Sequence, residues 1–305
     1  MIWFLLILAI VIAAPFVREA MKPQMDDTLR RSAPGEFEQL SRGLTHYQWF
    51  GGTRGPVAVC VHGLTTPSFV WGPIAEGLAA MGFRVLVYDL YGRGYSDRPK
   101  GPQDPAFFVT QLEELMESQG IEDEITLLGY SMGGAIVTAF ASLSPARLRH
   151  LVLLAPAGLG HDLGPLVRIV TQLGWLGDWL MLAFYERSFR KATEAERKLD
   201  SRIEDIVDLQ QNELRIRGFV PAVLASLKGT LDHDQDEEHR EINKEEVPVL
   251  AIWAKDDDVI PISGLGKLAQ WNRAARQEVI ENAGHQLAYT HTDEVLHAMR
   301  DLMKD

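Results

Sequence analysis

Short apolar runs rich in β-branched residues alternate with amphipathic stretches along most of the chain from Glu36 onward. The apolar residues are nearly continuous in runs such as Val57–Val61 and Ile125–Tyr130. A strand buried on both faces has this appearance, and a parallel neighbour requires a long crossover that is usually a helix. The pattern therefore predicts an α/β fold with a mostly parallel central sheet flanked by helices.

Seven runs are predicted to be strands of that sheet, and apolar stripes between them predict the helices. The strands are expected at Thr45–Gly51, Val57–Val61, Phe83–Leu90, Ile125–Tyr130, Leu148–Ala155, Val247–Ala254 and Glu278–Glu281. A last helix is expected over Leu287–Met303.

The alternation breaks once, over residues 158–246, which carry helical periodicity and no convincing strand. We predict a helical cap there, inserted into a core formed by residues 36–157 and 247–305. The end of the insertion, Asp232–Glu246, is acidic and is expected to be a solvated hinge. Its acids and histidines lack the rigid spacing of a metal site, and no metal is expected. The side chains there that could ligate a metal include His233, Asp234, Asp236 and His239.

The first half of the insertion, Leu166–Tyr185, is apolar nearly all round. Excess apolar surface on a helical cap can line a pocket for an apolar substrate or contact a membrane. Trp175 and Trp179 are therefore the candidate substrate-binding residues, although core packing remains the competing interpretation for most of the stretch.

The N-terminal residues 1–17 contain no charged side chain and would extend about 25 Å as a helix. A secretory signal normally has Lys or Arg before its apolar stretch, and this chain has neither there. We expect an uncleaved membrane anchor, followed by a linker over residues 18–35. A cleaved signal, or an apolar helix docked on the domain, remains an alternative.

Positive side chains follow this segment at Arg18, Lys22, Arg30 and Arg31. By the positive-inside rule they would hold the following domain on the cytoplasmic side of the membrane. If the segment is cleaved, the domain would instead be secreted or periplasmic.

The motif Gly129-Tyr130-Ser131-Met132-Gly133 lies between a predicted strand and a predicted helix. A serine on such a sharp turn is exposed at the edge of the sheet, and its backbone is strained. Residues two before and two after it must lack side chains to avoid collision, which Gly129 and Gly133 provide. In this context the motif predicts a nucleophilic Ser131.

A nucleophilic serine needs a base and an orienting acid. Three adjacent acids, Asp256 to Asp258, follow the predicted strand that ends at Ala254, and His285 follows the last predicted strand. His291 and His297 fall in or near the closing helix, farther from the sheet edge. The order Ser, Asp, His along the chain, each after the end of a strand, is typical of a catalytic triad, with the acid undecided among the three.

The oxyanion hole should combine the backbone N–H of Met132 with one from the loop after Val57–Val61. The N–H of Leu64 is the candidate there, and His62 is expected to brace the loop by hydrogen bonding. The Gly-rich segment Asp89–Asp97 lacks the lysine of a phosphate-binding loop and is interpreted as a turn-rich structural loop.

Charge and cysteine content limit the partners. The chain has 305 residues and a formal charge of −12, which repels phosphate backbones, so nucleic acid is not an expected partner. Cys60 is the only cysteine and lies in an apolar run, which excludes an intrachain disulfide and a multi-thiolate zinc site.

The segments HGLTTP, DLYGRGYSDRP, GYSMGG and AGHQ, with a late acid before Val259-Ile260-Pro261, resemble the α/β-hydrolase superfamily, over about residues 45–303. The resemblance is greatest to capped serine esterases and monoacylglycerol lipases, some of which carry an N-terminal anchor. It implies the triad Ser131, Asp257 and His285, because the family's acid lies four residues before the proline. It also implies oxyanion donors at Leu64 and Met132. The expected mechanism needs no cofactor, and the apolar cap stretch and N-terminal segment favour a small, lipophilic ester as substrate.

Neighbouring activities of the same fold remain open. Carbon–carbon bond hydrolases keep the serine triad but commonly have tryptophan after the catalytic histidine, where this chain has Gln286. Perhydrolases share the Ser131-Met132 pair, and an aspartate nucleophile, as in dehalogenases and epoxide hydrolases, is excluded by Ser131. A non-catalytic ligand-binding protein of this fold is the alternative from another class.

Overall fold

One eight-stranded sheet forms the centre of the protein in the computed structural model, which describes residues 1–160 and 164–302. The strands are β1 Glu36–Leu40, β2 Gly43–Phe50, β3 Val57–Val61, β4 Arg84–Tyr88, β5 Ile125–Tyr130, β6 Leu148–Leu154, β7 Val249–Ala254 and β8 Arg276–Ile280. Their order across the sheet is β1-β2-β4-β3-β5-β6-β7-β8.

The strands β3 to β8 run parallel, and β2 pairs antiparallel with both β1 and β4. The centre of the sheet is apolar on both faces, and Cys60 of β3 is fully buried between Val87 of β4 and Leu128 of β5. All seven predicted strands are present, with ends that shift by one or two residues. The predicted α/β fold is confirmed.

Helices cover both faces of the sheet. In chain order the α-helices are α1 Ile2–Met21, α2 Asp27–Arg30, α3 Gly72–Ala80, α4 Pro105–Ser118, α5 Met132–Leu143, α6 Gly164–Gln172, α7 Gly174–Glu196, α8 Ile206–Asn212, α9 Phe219–Lys228, α10 Asp236–Lys244, α11 Gly264–Trp271, α12 Leu287–Thr290 and α13 Thr292–Leu302. One layer contains α3, α12 and α13, and the other contains α4, α5, α10 and α11. The predicted closing helix is split at His291, and Met303 lies outside the described residues.

The segment between β6 and β7 contains α6 to α10 and, in its described residues, no strand. However, α10 packs against α5 and α11 on the face of the sheet, so only α6 to α9 form a separate layer. The expectation of a solvated hinge at Asp232–Glu246 is wrong. The acids there occupy the solvent side of α10, while His239 and Ile242 are buried beneath it.

The apolar N-terminal segment extends further as a helix than its uncharged part suggested. Most of α1 is exposed, but Pro15 and Glu19 are buried, and the helix packs along α7. The stretch predicted as a linker is attached to the body: Arg30 of α2 bonds the carboxylate of Asp97 and the carbonyl oxygen of Tyr95.

By length and composition α1 could cross a membrane, and only a small part of it is buried. A membrane anchor and a signal sequence both meet this description.

Candidate active site

Ser131 occupies a sharp turn between β5, which ends at Tyr130, and α5, which begins at Met132. Its φ of 55° lies in the left-handed region, which L-residues adopt only at a cost in free energy. A side chain at Gly129 would collide with the carbonyl oxygen of Gly133, and one at Gly133 would collide with that of Val61. The two glycines therefore allow the strained turn that holds the Ser131 hydroxyl at the edge of the sheet.

A chain of hydrogen bonds joins three of the predicted residues. His285 Nε2 lies 3.0 Å from Ser131 Oγ, and His285 Nδ1 lies 2.8 Å from Asp257 Oδ2. The Asp257 side chain is 1% exposed and that of His285 is 15% exposed. This is the geometry in which a histidine takes a proton from a serine while an aspartate orients its ring.

Asp257 is fixed by its own loop. Its second oxygen, Oδ1, accepts hydrogen bonds from the backbone N–H groups of Val259 and Ile260 at 2.8 and 2.7 Å. Its neighbours Asp256 and Asp258 are exposed. The structure thus brings one of the three candidate acids to His285 and leaves the other two in solvent.

The other candidate histidines lie away from this contact. His291 Nδ1 is 3.0 Å from Thr290 Oγ1, and the exposed His297 faces Asp301.

Tyr130 contacts His285 through its ring and its hydroxyl, and the sequence did not identify it. Its ring stacks on His285 with centroids 5.3 Å apart, and its hydroxyl donates to the backbone oxygen of His285 at 2.6 Å. Burial raises the pKa of Tyr130 well above its usual value, so the hydroxyl stays protonated as a donor. Tyr130 occupies the variable position of the Gly-x-Ser-x-Gly motif, which carries no sequence signal for this role.

The loop after β3 passes directly beside Ser131. A Cβ atom at Gly63 would lie 3.2 Å from the Cβ of Ser131, so the loop approaches the nucleophile closely because this residue is glycine. The backbone N–H groups of Leu64 and Met132 have no acceptor among the described residues. Met132 is the first residue of α5, where N–H groups are unpaired by helix geometry and favour an anion.

His62 braces this loop through both ring nitrogens. Nε2 accepts a hydrogen bond from the N–H of Leu90 at 2.9 Å, and Nδ1 donates to the oxygen of Gly63 at 2.8 Å. Complete burial lowers the pKa of His62 to about 4, so the ring is neutral and can accept at Nε2.

Arg93, in the Gly-rich loop after β4, is fully buried and was not identified from the sequence. Its Nε donates to the oxygen of Leu64 at 2.9 Å, and Nη2 donates to Ser226 Oγ on α9 at 2.8 Å. Burial lowers the pKa of Arg93 to about 9, which still leaves the guanidinium charged at neutral pH. The side chain therefore connects the candidate oxyanion loop to the cap.

Glu196, at the end of α7, makes a second connection between the cap and the site. Its carboxylate accepts hydrogen bonds from Gln286 at 2.9 Å and from the Tyr289 hydroxyl at 2.7 Å. Gln210 of α8 lies within hydrogen-bond distance of Thr66, two residues after Leu64. The cap is thus held at both the histidine loop and the oxyanion loop.

The two tryptophans predicted to bind substrate are not brought to the triad by any contact in the described residues. Trp179 Nε1 donates to the backbone oxygen of Val11 in α1 at 3.3 Å, and its ring packs edge-on against Phe184. Trp175 is 64% exposed. Trp179 therefore lies where α7 packs against α1, and Trp175 lies one helical turn before it on α7.

Among the described residues, no group of three or more His, Cys, Asp or Glu side chains is arranged to hold a metal ion. In the acidic stretch Asp232–Glu246, Asp234 pairs with Lys267 at 2.6 Å and His239 stacks on Trp271.

Comparison with known proteins identifies the family. Residues 56–292 match the sequence profile of the alpha/beta hydrolase fold. An uncharacterised protein of Mycobacterium tuberculosis is 26% identical over 245 residues, which are 76% of this chain and 70% of the relative. A monoacylglycerol lipase of Xenopus laevis is 27% identical over 195 residues, which are 58% of this chain and 54% of the relative.

The solved structure of an esterase from Exiguobacterium antarcticum superimposes with a TM-score of 0.74 at 18% identity, covering 89% of this chain and 100% of the esterase. At that identity the likeness concerns the fold alone. The extent of the profile match, together with the eight-stranded sheet, shows that this chain belongs to the α/β-hydrolase family.

Proposed function

We propose that the protein is a serine hydrolase that cleaves carboxylic esters through an acyl-enzyme on Ser131. The observation that carries the proposal is the unbroken chain of hydrogen bonds from Ser131 Oγ through His285 to Asp257. The free N–H groups beside Ser131 complete the set of groups that acyl transfer requires.

In the first half-reaction, Ser131 Oγ attacks the ester carbonyl carbon while His285 Nε2 takes the hydroxyl proton. Asp257 holds His285 Nδ1–H and stabilises the imidazolium. The N–H groups of Leu64 and Met132 donate to the negative oxygen of the tetrahedral intermediate, and each is worth about 3 kcal/mol of barrier. The intermediate then expels the alcohol, which receives its proton from His285.

In the second half-reaction, water attacks the acyl carbon and gives a proton to His285. The carboxylic acid leaves, and Ser131 recovers its proton. The same residues serve both halves, so the proposed cycle needs no further group.

A lipophilic ester is the proposed substrate class, supplied from a membrane to which α1 anchors the enzyme. The support is the exposed apolar surface that α1 shares with the cap, where Trp175 and Phe184 protrude. The C-terminal end of α1 is hydrogen-bonded to the domain. Glu19 accepts a hydrogen bond from the N–H of Gly218 at 2.6 Å, and Arg18 donates to the backbone oxygen of Leu182. Cleavage after this helix would break those contacts, so they favour a membrane anchor over a cleaved signal. The positive-inside rule would then put the domain on the cytoplasmic side of the membrane.

The test is a panel of p-nitrophenyl esters and monoacylglycerols of graded chain length, assayed with the wild type and with Ser131→Ala. Ester turnover that disappears in Ser131→Ala supports the proposal. Turnover only of vinylogous diketones would instead assign a carbon–carbon bond hydrolase, and peroxide-dependent peracid formation would assign a perhydrolase. Failure of a fluorophosphonate probe to label Ser131 would indicate a ligand-binding protein.

A further inference from the structure

A cavity of about 950 Å³ lies between α1, the cap and the loop that follows β4. Its size is within the range of small-molecule pockets, ~300–1,000 Å³. Neither the triad nor the two candidate oxyanion residues line it. The cavity is therefore separate from the proposed active site.

The inner wall of the cavity is apolar. It includes Phe16 of α1, Met181 and Leu182 of α7, and Val220 and Leu224 of α9. All of these except Phe16 are buried. Such a wall fits a hydrocarbon chain better than a polar metabolite, because burying polar groups without partners costs free energy.

The polar residues around the cavity favour an anion. Its three carboxylates each have a cationic partner: Glu19 pairs with Lys22, Asp97 with Arg30, and Asp178 with Lys228. These carboxylates therefore add little net negative charge to the site.

Three cations at the same cavity, Arg42, Lys100 and Arg217, have no carboxylate within 4.0 Å in the described part of the chain. A fourth, Arg98, is largely buried and pairs with Glu213 at 3.7 Å, but its Nε has no hydrogen-bond partner in that part of the chain. This local excess of positive charge occurs in a chain whose net charge is −12.

We propose that this cavity binds a single-chain amphiphile with an anionic head. The chain would lie against the apolar wall, and the head would be held by the unpaired cations. Because α1 forms one side, the site lies at the base of the proposed anchor, where such molecules are concentrated. A long-chain fatty acid and a lysophospholipid phosphate share this chemistry and are the two possible sources.

The experiment uses the whole 305-residue chain with Ser131→Ala, in which no ester turnover can occur, in phosphatidylcholine nanodiscs. A palmitate that carries a photoreactive diazirine is added, and the labelled peptides are mapped after irradiation. Labelling is expected in residues 16–25 and 217–229. Labelling confined to the peptides that contain Ser131 or His285 would overturn the proposal, because the probe would then occupy the proposed active site.

Two variants test the two parts of the site. Lys100→Glu should reduce labelling about fivefold, because it reverses a charge near the anionic head. Ala225→Trp should reduce it by filling the cavity. Lys198→Glu, an exposed charge reversal on the cap, is the matched control and should label as the parent does. Melting temperatures establish that each variant is folded. Parental labelling of a folded Lys100→Glu variant would contradict the anionic part of the proposal.

Competition identifies the ligand. Oleate and lysophosphatidate should both displace the probe, and the more potent of the two marks the source. Dodecyltrimethylammonium, whose head is cationic, should not compete. Equal competition by all three would overturn the assignment of an anionic head. The proposed ester hydrolysis is judged by the ester panel alone, so the two proposals can fail separately.

Discussion

Arg93 donates a hydrogen bond from Nε to the backbone oxygen of Leu64 at 2.9 Å, and Leu64 is the residue whose N–H is proposed to bind the oxyanion. The other end of the same guanidinium contacts Gln103 at 2.7 Å and Ser226 of the cap at 2.8 Å. The position of the oxyanion loop therefore depends on a buried cation that is also bonded to the cap.

Substitution of Arg93 should affect the rate of the reaction more than substrate binding. In Arg93→Lys the planar fork is lost and the loop can move, so kcat should fall roughly tenfold to a hundredfold with little change in KM. Arg98→Lys is the matched control, because Arg98 is also largely buried but bonds the oxygens of Gly94 and Ser96 rather than the oxyanion loop. Steady-state kinetics below both melting temperatures should separate the variants. A similar loss of kcat in the two would mean that Arg93 is only structural.

The acid of the triad can be tested by three neighbouring substitutions. Asp257→Asn should lower kcat by about 10⁴, because an amide favours the wrong tautomer of His285. Asp256→Asn and Asp258→Asn alter exposed side chains and should retain activity close to that of the wild type. If either of these were the crippling change, the acid would be misassigned.

Buried histidine should make the fold sensitive to acid. Burial lowers the pKa of His239 to about 4, below its ordinary 6.5, and neither ring nitrogen has a partner in the described residues. As pH falls from 6.5 towards 4, the unfolded chain binds a proton that the folded chain does not, so stability is lost. The loss from this residue should be about 2 kcal/mol at pH 5.

The variant His239→Phe removes that group and should be more stable than the wild type, by a margin that is larger at pH 5 than at pH 8. Urea unfolding at both pH values measures the margin. His297→Phe, at a side chain 74% exposed, is the control for replacing a histidine by phenylalanine outside the core. His62, whose pKa is also lowered to about 4, should leave part of the acid sensitivity in place. An equal gain in stability of His239→Phe at both pH values would contradict the lowered pKa of His239.

The exposed tryptophan of the cap should matter only for substrates presented in a membrane. Trp175→Ser should lower hydrolysis of long-chain esters in vesicles about tenfold, because it removes a large apolar side chain from the surface proposed to meet the bilayer. Activity on short soluble esters and the melting temperature should not change. Leu143→Ser, at an exposed apolar residue on α5, is the matched control and should leave the hydrolysis of both kinds of ester unchanged. An equal loss of activity on long and short esters, together with a lower melting temperature, would mean that Trp175 contributes to packing instead.

Local patterns were sufficient to predict most of the sheet and the position of the nucleophile. Continuous apolar runs identified the buried strands, and the glycines around Ser131 identified the turn, because both signals lie within a few residues. The strand β1 was missed because Glu36–Leu40 is short, polar and at the edge of the sheet, where one apolar face is not required.

The remaining features depend on contacts between distant parts of the chain. The sequence around Arg93 predicts only a turn, because the partners of Arg93 on α9 come more than 120 residues later. The hydrogen bond between Trp179 and the backbone oxygen of Val11 could not be predicted either, because the two residues lie 168 positions apart in the chain. Spacing within a segment carries no information about such pairs.

The proposed mechanism requires that Ser131 becomes acylated, and the mass of the intact protein during turnover shows whether it does. After rapid acid quenching of enzyme mixed with an excess of a p-nitrophenyl ester, the protein should gain the mass of one acyl group. Peptide mapping should locate that group on Ser131, and Ser131→Ala should show none. Full ester turnover with no acylated protein, or with the acyl group on another residue, would contradict a nucleophilic role for Ser131.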